Sequence, residues 1–286
     1  MKSTRRNFIK TSGLLTAGAI TGLPTLGACK GAQDNPLKDI GIIGTIRKEI
    51  KEDWKSALKQ VAEIGYKYLE SATIYGDDLK SYKSFLKDID LIPFAGGIGL
   101  SDFLDDTEFG KYVKNAHGLG LKYAVCYYPW FSDATNLSIE EIQEAADNLN
   151  IIGEKCKNEG LRFVWHNHDK EFWPVDDVIP FDYLLAHTDP DLVGVEIDLY
   201  WIHKGNDKPI PYFEKYPGRF ELVHVKDMDH TEERSFACVG DGIIDFPAIF
   251  EKAELAGMKH LIVEHDQPEN GMECARTSYK YLQSIL

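Results

Sequence analysis

Basic residues are in short supply. Only 32 Lys and Arg face 46 Asp and Glu, which leaves the chain at −14 at pH 7. A field of that sign repels phosphate backbones and argues against nucleic acid as a partner. Cysteine is sparse too: its five copies, at 29, 126, 156, 238 and 274, form no CxxC pair and no zinc-ribbon spacing. Long apolar runs are missing, and the uncharged stretch 11–28 is broken by Gly13, Gly18, Gly22 and Pro24, which argues against a stable membrane-spanning helix. No GxGxxG follows the first strand-like segment. Gly240-Asp241-Gly242 lacks the following Lys-Ser/Thr of a phosphate loop and reads as a turn. What is present is a foldable composition: 43% hydrophobic residues, with 14 Tyr, 14 Phe and 5 Trp, rule out disorder as the main state.

Ser3-Thr4-Arg5-Arg6-Asn7-Phe8-Ile9-Lys10 resembles a twin-arginine export signal, and Leu26-Gly27-Ala28-Cys29 resembles a bacterial lipobox. The expectation is an export signal over 1–28, a polar tether over 29–37 and a catalytic domain over 38–286. The resemblance implies an exported, periplasmic lipoprotein that touches the membrane only through a lipid on Cys29. Loss of the leader removes Lys2, Arg5, Arg6 and Lys10 and no acid, so the mature surplus deepens to −18. Cys126, Cys156, Cys238 and Cys274 are expected as buried free thiols. A single disulfide is the alternative in an oxidising compartment.

From residue 40 onward, β-branched runs alternate with amphipathic stretches. Strands are expected at 40–46, 66–72, 92–99, 121–129, 162–168, 193–201, 220–227 and 260–266. Helices are expected at 54–64, 82–88, 107–118, 138–160, 180–187, 211–216, 246–257 and from 272 to the end. Gly65, Gly120, Gly160 and Gly257 each follow a helix where a left-handed cap is required. Ser138 and Glu141 make a capping box. Eight strand–helix units in about 250 residues predict a single-domain α/β fold, the closed (β/α)8 TIM barrel.

Alternation then sorts the later strands. It turns Val164, His166 and His168 to one face, and aims Glu196, Asp198 and Tyr200, then Leu222, His224 and Lys226, then Ile262, Glu264 and Asp266 inward. Ionisable groups from four consecutive strands thus converge at the C-terminal mouth, where barrel enzymes keep their chemistry. Such a set is costly without a counter-ion, and mixed carboxylates and imidazoles suit one divalent metal, Mn, Co, Mg or Zn.

These residues also carry a resemblance. Trp165-His166-Asn167-His168-Asp169-Lys170-Glu171-Phe172, Val195-Glu196-Ile197-Asp198-Leu199-Tyr200-Trp201, Val223-His224-Val225-Lys226-Asp227 and Val263-Glu264-His265-Asp266 resemble motifs of the xylose isomerase-like sugar isomerase/epimerase superfamily. The likeness spans roughly 38–286. It implies a metal on Glu171, Asp198, His224 and Glu264, with His168 or His166 as the alternative to Glu171. It further implies proton abstraction next to a carbonyl through an enediolate, with Glu171 and Glu264 as base and acid. His166, His168 and Lys226 would hold hydroxyls or protonate a leaving oxygen.

Trp130, Trp201 and Tyr128 are candidate sugar-stacking rings, with rim packing as the plainer role. Glu70 is a substrate ligand or a partner for a basic side chain, and Asp245 an N-cap. The leading expectation is a metal-dependent isomerase or epimerase acting on a sugar or keto-sugar outside the cytoplasm. A lyase on 3-keto-glycosides is the alternative, and it calls for a sugar oxidoreductase to make its substrate. A non-catalytic sugar-binding lipoprotein is the reading from another class. A homo-oligomer is left open.

Overall fold

The computed structural model describes residues 36–286. The export signal, Cys29 and nearly all of the tether lie outside the described residues. A short 3-10 turn, Pro36–Lys38, leads into β1 (Gly41–Ile43) and α1 (Arg47–Ile64). There follow β2 (Tyr68–Glu70), α2 (Leu79–Asp88), β3 (Ile92–Ile98), α3 (Leu100–Leu104), α4 (Asp106–Leu119), β4 (Tyr123–Cys126) and α5 (Ile139–Asn158). The second half runs β5 (Arg162–His166), α6 (Pro180–His187), β6 (Val193–Asp198), α7 (Leu199–Lys204), α8 (Pro209–Lys215) and β7 (Leu222–Val225). A small hairpin, β8 (Asp227–Met228) and β9 (Phe236–Ala237), precedes α9 (Phe246–Phe250), α10 (Ala253–Ala256), β10 (His260–Glu264) and α11 (Gly271–Ile285).

Strands β1 to β7 and β10 close into a parallel barrel in the order β1-β10-β7-β6-β5-β4-β3-β2, as strict alternation requires. Closure is made by β1 against β10, with Ile42 opposite Val263. The alternation of side chains holds. Phe94, Tyr123, Val125, Val164, Leu222 and Ile262 pack together as an inner plug. Phe163, Trp165, Val195, Ile197, Val223 and Val263 join the larger core with the surrounding helices.

Local chemistry sets the ends. Ser138 and Glu141 form the expected capping box on α5, and Gly120 closes α4 in the left-handed conformation with φ 86°. Helix α1 starts earlier than its apolar period predicts. Its backbone breaks at Asp53, whose carboxylate accepts from the Lys55 and Ser56 amides and restarts the helix at the predicted Trp54. The predicted 246–257 helix is split into α9 and α10. The sixth strand is also shorter than expected: it ends at Asp198, whose Oδ1 accepts from the Tyr200 and Trp201 amides and opens α7. Tyr200 and Trp201 are therefore helical.

Two cysteine expectations are corrected. Cys238 and Cys274 form a disulfide that ties the end of β9 to α11, while Cys126 and Cys156 are buried free thiols as anticipated. The pairing was illegible because 36 residues separate the partners in sequence. No helix among the described residues is long and apolar enough to cross a membrane.

The barrel wall leaves no room for a side chain at Gly97, where β3 meets β4. A Cβ on Gly97 would lie 1.6 Å from the Val125 carbonyl oxygen, a backbone atom that cannot swing aside. Gly97→Ala is therefore expected to destabilise the barrel by about 3 kcal/mol or more. Urea denaturation of the variant against wild type measures it.

Candidate active site

The inward groups of β5, β6, β7 and β10 meet at the C-terminal mouth. One ligand atom from each of His166, Asp198, His224 and Glu264 lies within 4.8 Å of every other, and all four residues are buried. Nε2 of His166 is 3.9 Å from Asp198 Oδ2, and Nδ1 of His224 is 3.1 Å from Glu264 Oε2. Behind His224, its Nε2 lies 3.1 Å from Glu70 Oε2 and 3.2 Å from Glu196 Oε2. Tyr127 donates to the other Glu70 oxygen at 2.7 Å.

Lys226 is 1% exposed and bridges the acids. Its Nζ lies 3.1 Å from Glu264 Oε2, 3.6 Å from Asp198 Oδ2 and 2.5 Å from Asp266 Oδ2. Aromatic faces cover it, with ring centroids of Phe236 at 4.9 Å and Trp201 at 5.1 Å. Arg47, from the start of α1, reaches Glu264 Oε1 at 3.5 Å and Asp266 Oδ1 at 3.3 Å. A cavity of about 410 Å³ opens beside this edge, lined by Arg47, Gly44, Glu70, Tyr75, Gly97 and Tyr127 among others.

The electrostatics match a site built for a cation. Burial raises Glu196 and Asp198 well above the usual carboxylate range, the neighbouring Glu70 adding to the first. Burial pulls His166 well below its ordinary value. Burial, with the Lys226 ammonium nearby, pushes His168 down to about 4, so its imidazole is neutral near pH 7. Lys226 is held above its ordinary value: burial opposes the charge, but Asp198, Glu264 and Asp266 outweigh it. Asp198 Oδ2, both Glu196 oxygens and His166 Nδ1 are buried with no hydrogen-bond partner. Asp198 Oδ2, the orphaned acceptor on the cluster side of the two imidazoles, is what a divalent ion would satisfy, and the nitrogen and oxygen donors fit Zn, Mn, Co or Mg in different degrees.

The predicted set is rearranged in one respect. Glu171 stands outside the four-donor cluster. It sits in a 3-10 turn beyond β5 (Lys170–Phe172), where Trp130 Nε1 donates to Oε1 at 2.7 Å and the His168 amide to Oε2 at 2.9 Å. His166 takes the fourth place instead, because it is on β5 proper and points inward. Trp130 is corrected likewise: it is 5% exposed and braces Glu171, with no open face for a sugar. Trp201 flanks the site from α7, between Lys226 and the His168 ring 5.3 Å away. Glu70 lines the cavity and partners His224.

Three contributors escaped the sequence reading. Asn167 is buried on the outer face of the strand end and clamps Asp198, accepting from its amide at 2.9 Å. Arg47 is more than 200 residues from Glu264, and no local signal joins them. Glu196 was visible as inward-facing, but its place behind two histidines depends on strand register, His166 opposite Glu196.

Comparisons with known proteins agree with this architecture. The family model described as Xylose isomerase-like TIM barrel matches residues 58–285. An inosose dehydratase of Lacticaseibacillus casei is 27% identical over 271 residues, covering 82% of this chain and 90% of that protein. A sugar phosphate isomerase/epimerase from Parabacteroides distasonis superposes with a TM-score of 0.73 at 25% identity, over 92% of this chain and 98% of that one. The fold is shared with the IOLI protein, solved with a bound zinc atom, at a TM-score of 0.66 and 19% identity over 81% of this chain and 92% of that one. With a closed barrel, a mouth lined by imidazoles and carboxylates, and a model match across most of its length, this chain belongs to the Xylose isomerase-like TIM barrel family.

Proposed function

We propose that this chain is a divalent-metal-dependent lyase acting on a keto-sugar outside the cytoplasm. It would remove a proton next to the carbonyl and expel the substituent one carbon further on. The observation that carries this reading is the unlike pair flanking Trp201: Lys226, a buried cation that can only donate, and His168, a neutral imidazole that can accept. Epimerisation calls for two acid–base groups of like strength on opposite faces of the substrate. The expected second carboxylate, Glu171, is tied to Trp130 and the His168 amide, and His166 stands in its place. Relatives named for a dehydration support elimination over the isomerase or epimerase reading.

His166, Asp198, His224 and Glu264 would hold the metal, which when bound supplies Lewis acidity toward the carbonyl oxygen. His168 takes the proton from the carbon beside the ketone reversibly, leaving an enolate; in a second step the electron pair of the enolate forms the new double bond as the bond to the leaving oxygen breaks. Lys226 gives a proton to that oxygen. Trp201 and Phe236 keep water from the ammonium. A 3-keto-glycoside fits this scheme, since its ketone acidifies the C2 hydrogen and its glycosidic oxygen leaves from C1. Such a ketone is made by oxidising a secondary alcohol, so an oxidoreductase is the implied partner. The Cys238–Cys274 disulfide supports an oxidising compartment, in keeping with the leader's resemblance to an export signal.

The test is incubation of metal-loaded protein with a 3-keto-glycoside in heavy water, followed by NMR. Deuterium next to the carbonyl together with release of the aglycone is expected. An epimer formed without release overturns the lyase reading, and bound sugar with neither exchange nor release would leave a sugar-binding protein.

A further inference from the structure

Glu196 is wholly buried, and neither of its oxygens has a hydrogen-bond partner. It lies one inward position below Asp198 on β6, too deep for substrate. Its Oε2 is nonetheless 3.2 Å from His224 Nε2 and 3.4 Å from His166 Nδ1. The opposite nitrogens of the same two rings face the four-donor cluster: His166 Nε2 toward Asp198 and His224 Nδ1 toward Glu264. A single carboxylate oxygen thus sits behind both imidazoles.

An imidazole binds a metal through a nitrogen that carries no proton, so its proton must be on the other nitrogen. Two histidines therefore need two acceptors behind them, or one acceptor shared. Glu70 serves only His224, and one of its oxygens is already taken by the Tyr127 hydroxyl. The acidic oxygen that faces His166 Nδ1 is Glu196 Oε2, 3.4 Å away. Resting on the metal-site reading above, we propose that Glu196 is a positioning residue that sets the tautomer and ring angle of both His166 and His224, holding His166 Nε2 and His224 Nδ1 free for the ion. The need for it arises where His166 replaces a carboxylate among the donors: a carboxylate has no tautomer to set, whereas an imidazole does.

The experiment uses metal-free full chain, titrated with Co²⁺ and followed by the visible absorption of the bound ion, with melting measured with and without cobalt. Wild type is expected to bind one equivalent. Glu196→Gln, which keeps the shape and removes the shared acceptor, is expected to bind cobalt about 10–100-fold more weakly. The metal-free variant should melt no lower than metal-free wild type, because glutamine keeps an oxygen behind the two rings and gives up a buried charge. A variant with undiminished affinity overturns the proposal. So does a metal-free variant whose melting temperature falls, which would make Glu196 a structural residue. Two equivalents in wild type and one in the variant would make Glu196 a ligand in its own right. If wild type takes up no cobalt at all, the metal-site reading itself falls, a result distinct from a failure confined to the variant.

Discussion

Replacing Lys226 by Met is expected to slow aglycone release by about 10²- to 10⁴-fold, the range for loss of a general acid. Methionine follows the course of the lysine stem, so packing against Phe236 and Trp201 is largely kept while the proton is lost. The diagnostic feature is a split between two steps. In the proposed scheme, proton abstraction by His168 does not need Lys226, so deuterium should still enter substrate recovered from heavy water. Bond breaking at the leaving oxygen should fall. Parallel loss of exchange and release would instead give Lys226 a role in binding or in the abstraction itself. The measurement is the ratio of deuterium in recovered substrate to product formed, compared between variant and wild type.

Asp198 separates into two functions that two substitutions can divide. Its Oδ1 accepts from the Tyr200 and Trp201 amides at 2.8 and 2.9 Å, while Oδ2 faces the donor cluster. Asp198→Asn keeps an oxygen for the cap and removes the anionic donor; Asp198→Ala removes both. Turnover is expected to vanish in each. Wild type should be stabilised by about 2.7 kcal/mol when metal is present at about 100 times its Kd, and both variants should lose nearly all of that gain. Without metal, the Ala variant should be about 1 kcal/mol less stable than the Asn variant, the worth of the cap alone. Thermal melts of wild type and both variants, with and without metal, give the comparison. Equal stability of the two metal-free variants would remove the cap from the account.

The barrel was legible because strand–helix alternation and inward–outward alternation are both short-range signals. His166, His224, Lys226 and Glu264 fall on predicted strands at inward positions, and the structure aims them as the period of two dictates. What failed was of three kinds. Strand ends were drawn too long where apolar residues continue past the last ladder bond, which placed Tyr200 and Trp201 on a strand that Asp198 in fact terminates. Contacts set by chain closure were invisible: Arg47 beside Glu264, and Cys238 bonded to Cys274. Glu171 illustrates a third cause. A family motif placed it among the donors, but three residues beyond the strand the backbone has left the barrel direction, and local partners capture its carboxylate.

The disulfide also bears on the cover over Lys226. It fastens the segment following Phe236 to α11, and the Val239 amide donates to Ser278 on the same helix. Phe236 in turn lies over the Lys226 ammonium. The aromatic cover of Lys226 is thus anchored by a bond that thiols can open, whereas the barrel below is held by ladder bonds and apolar packing that they leave untouched. Two preparations with the same sequence and the same barrel, one kept in reductant and one in air, are for this reason different materials around Lys226.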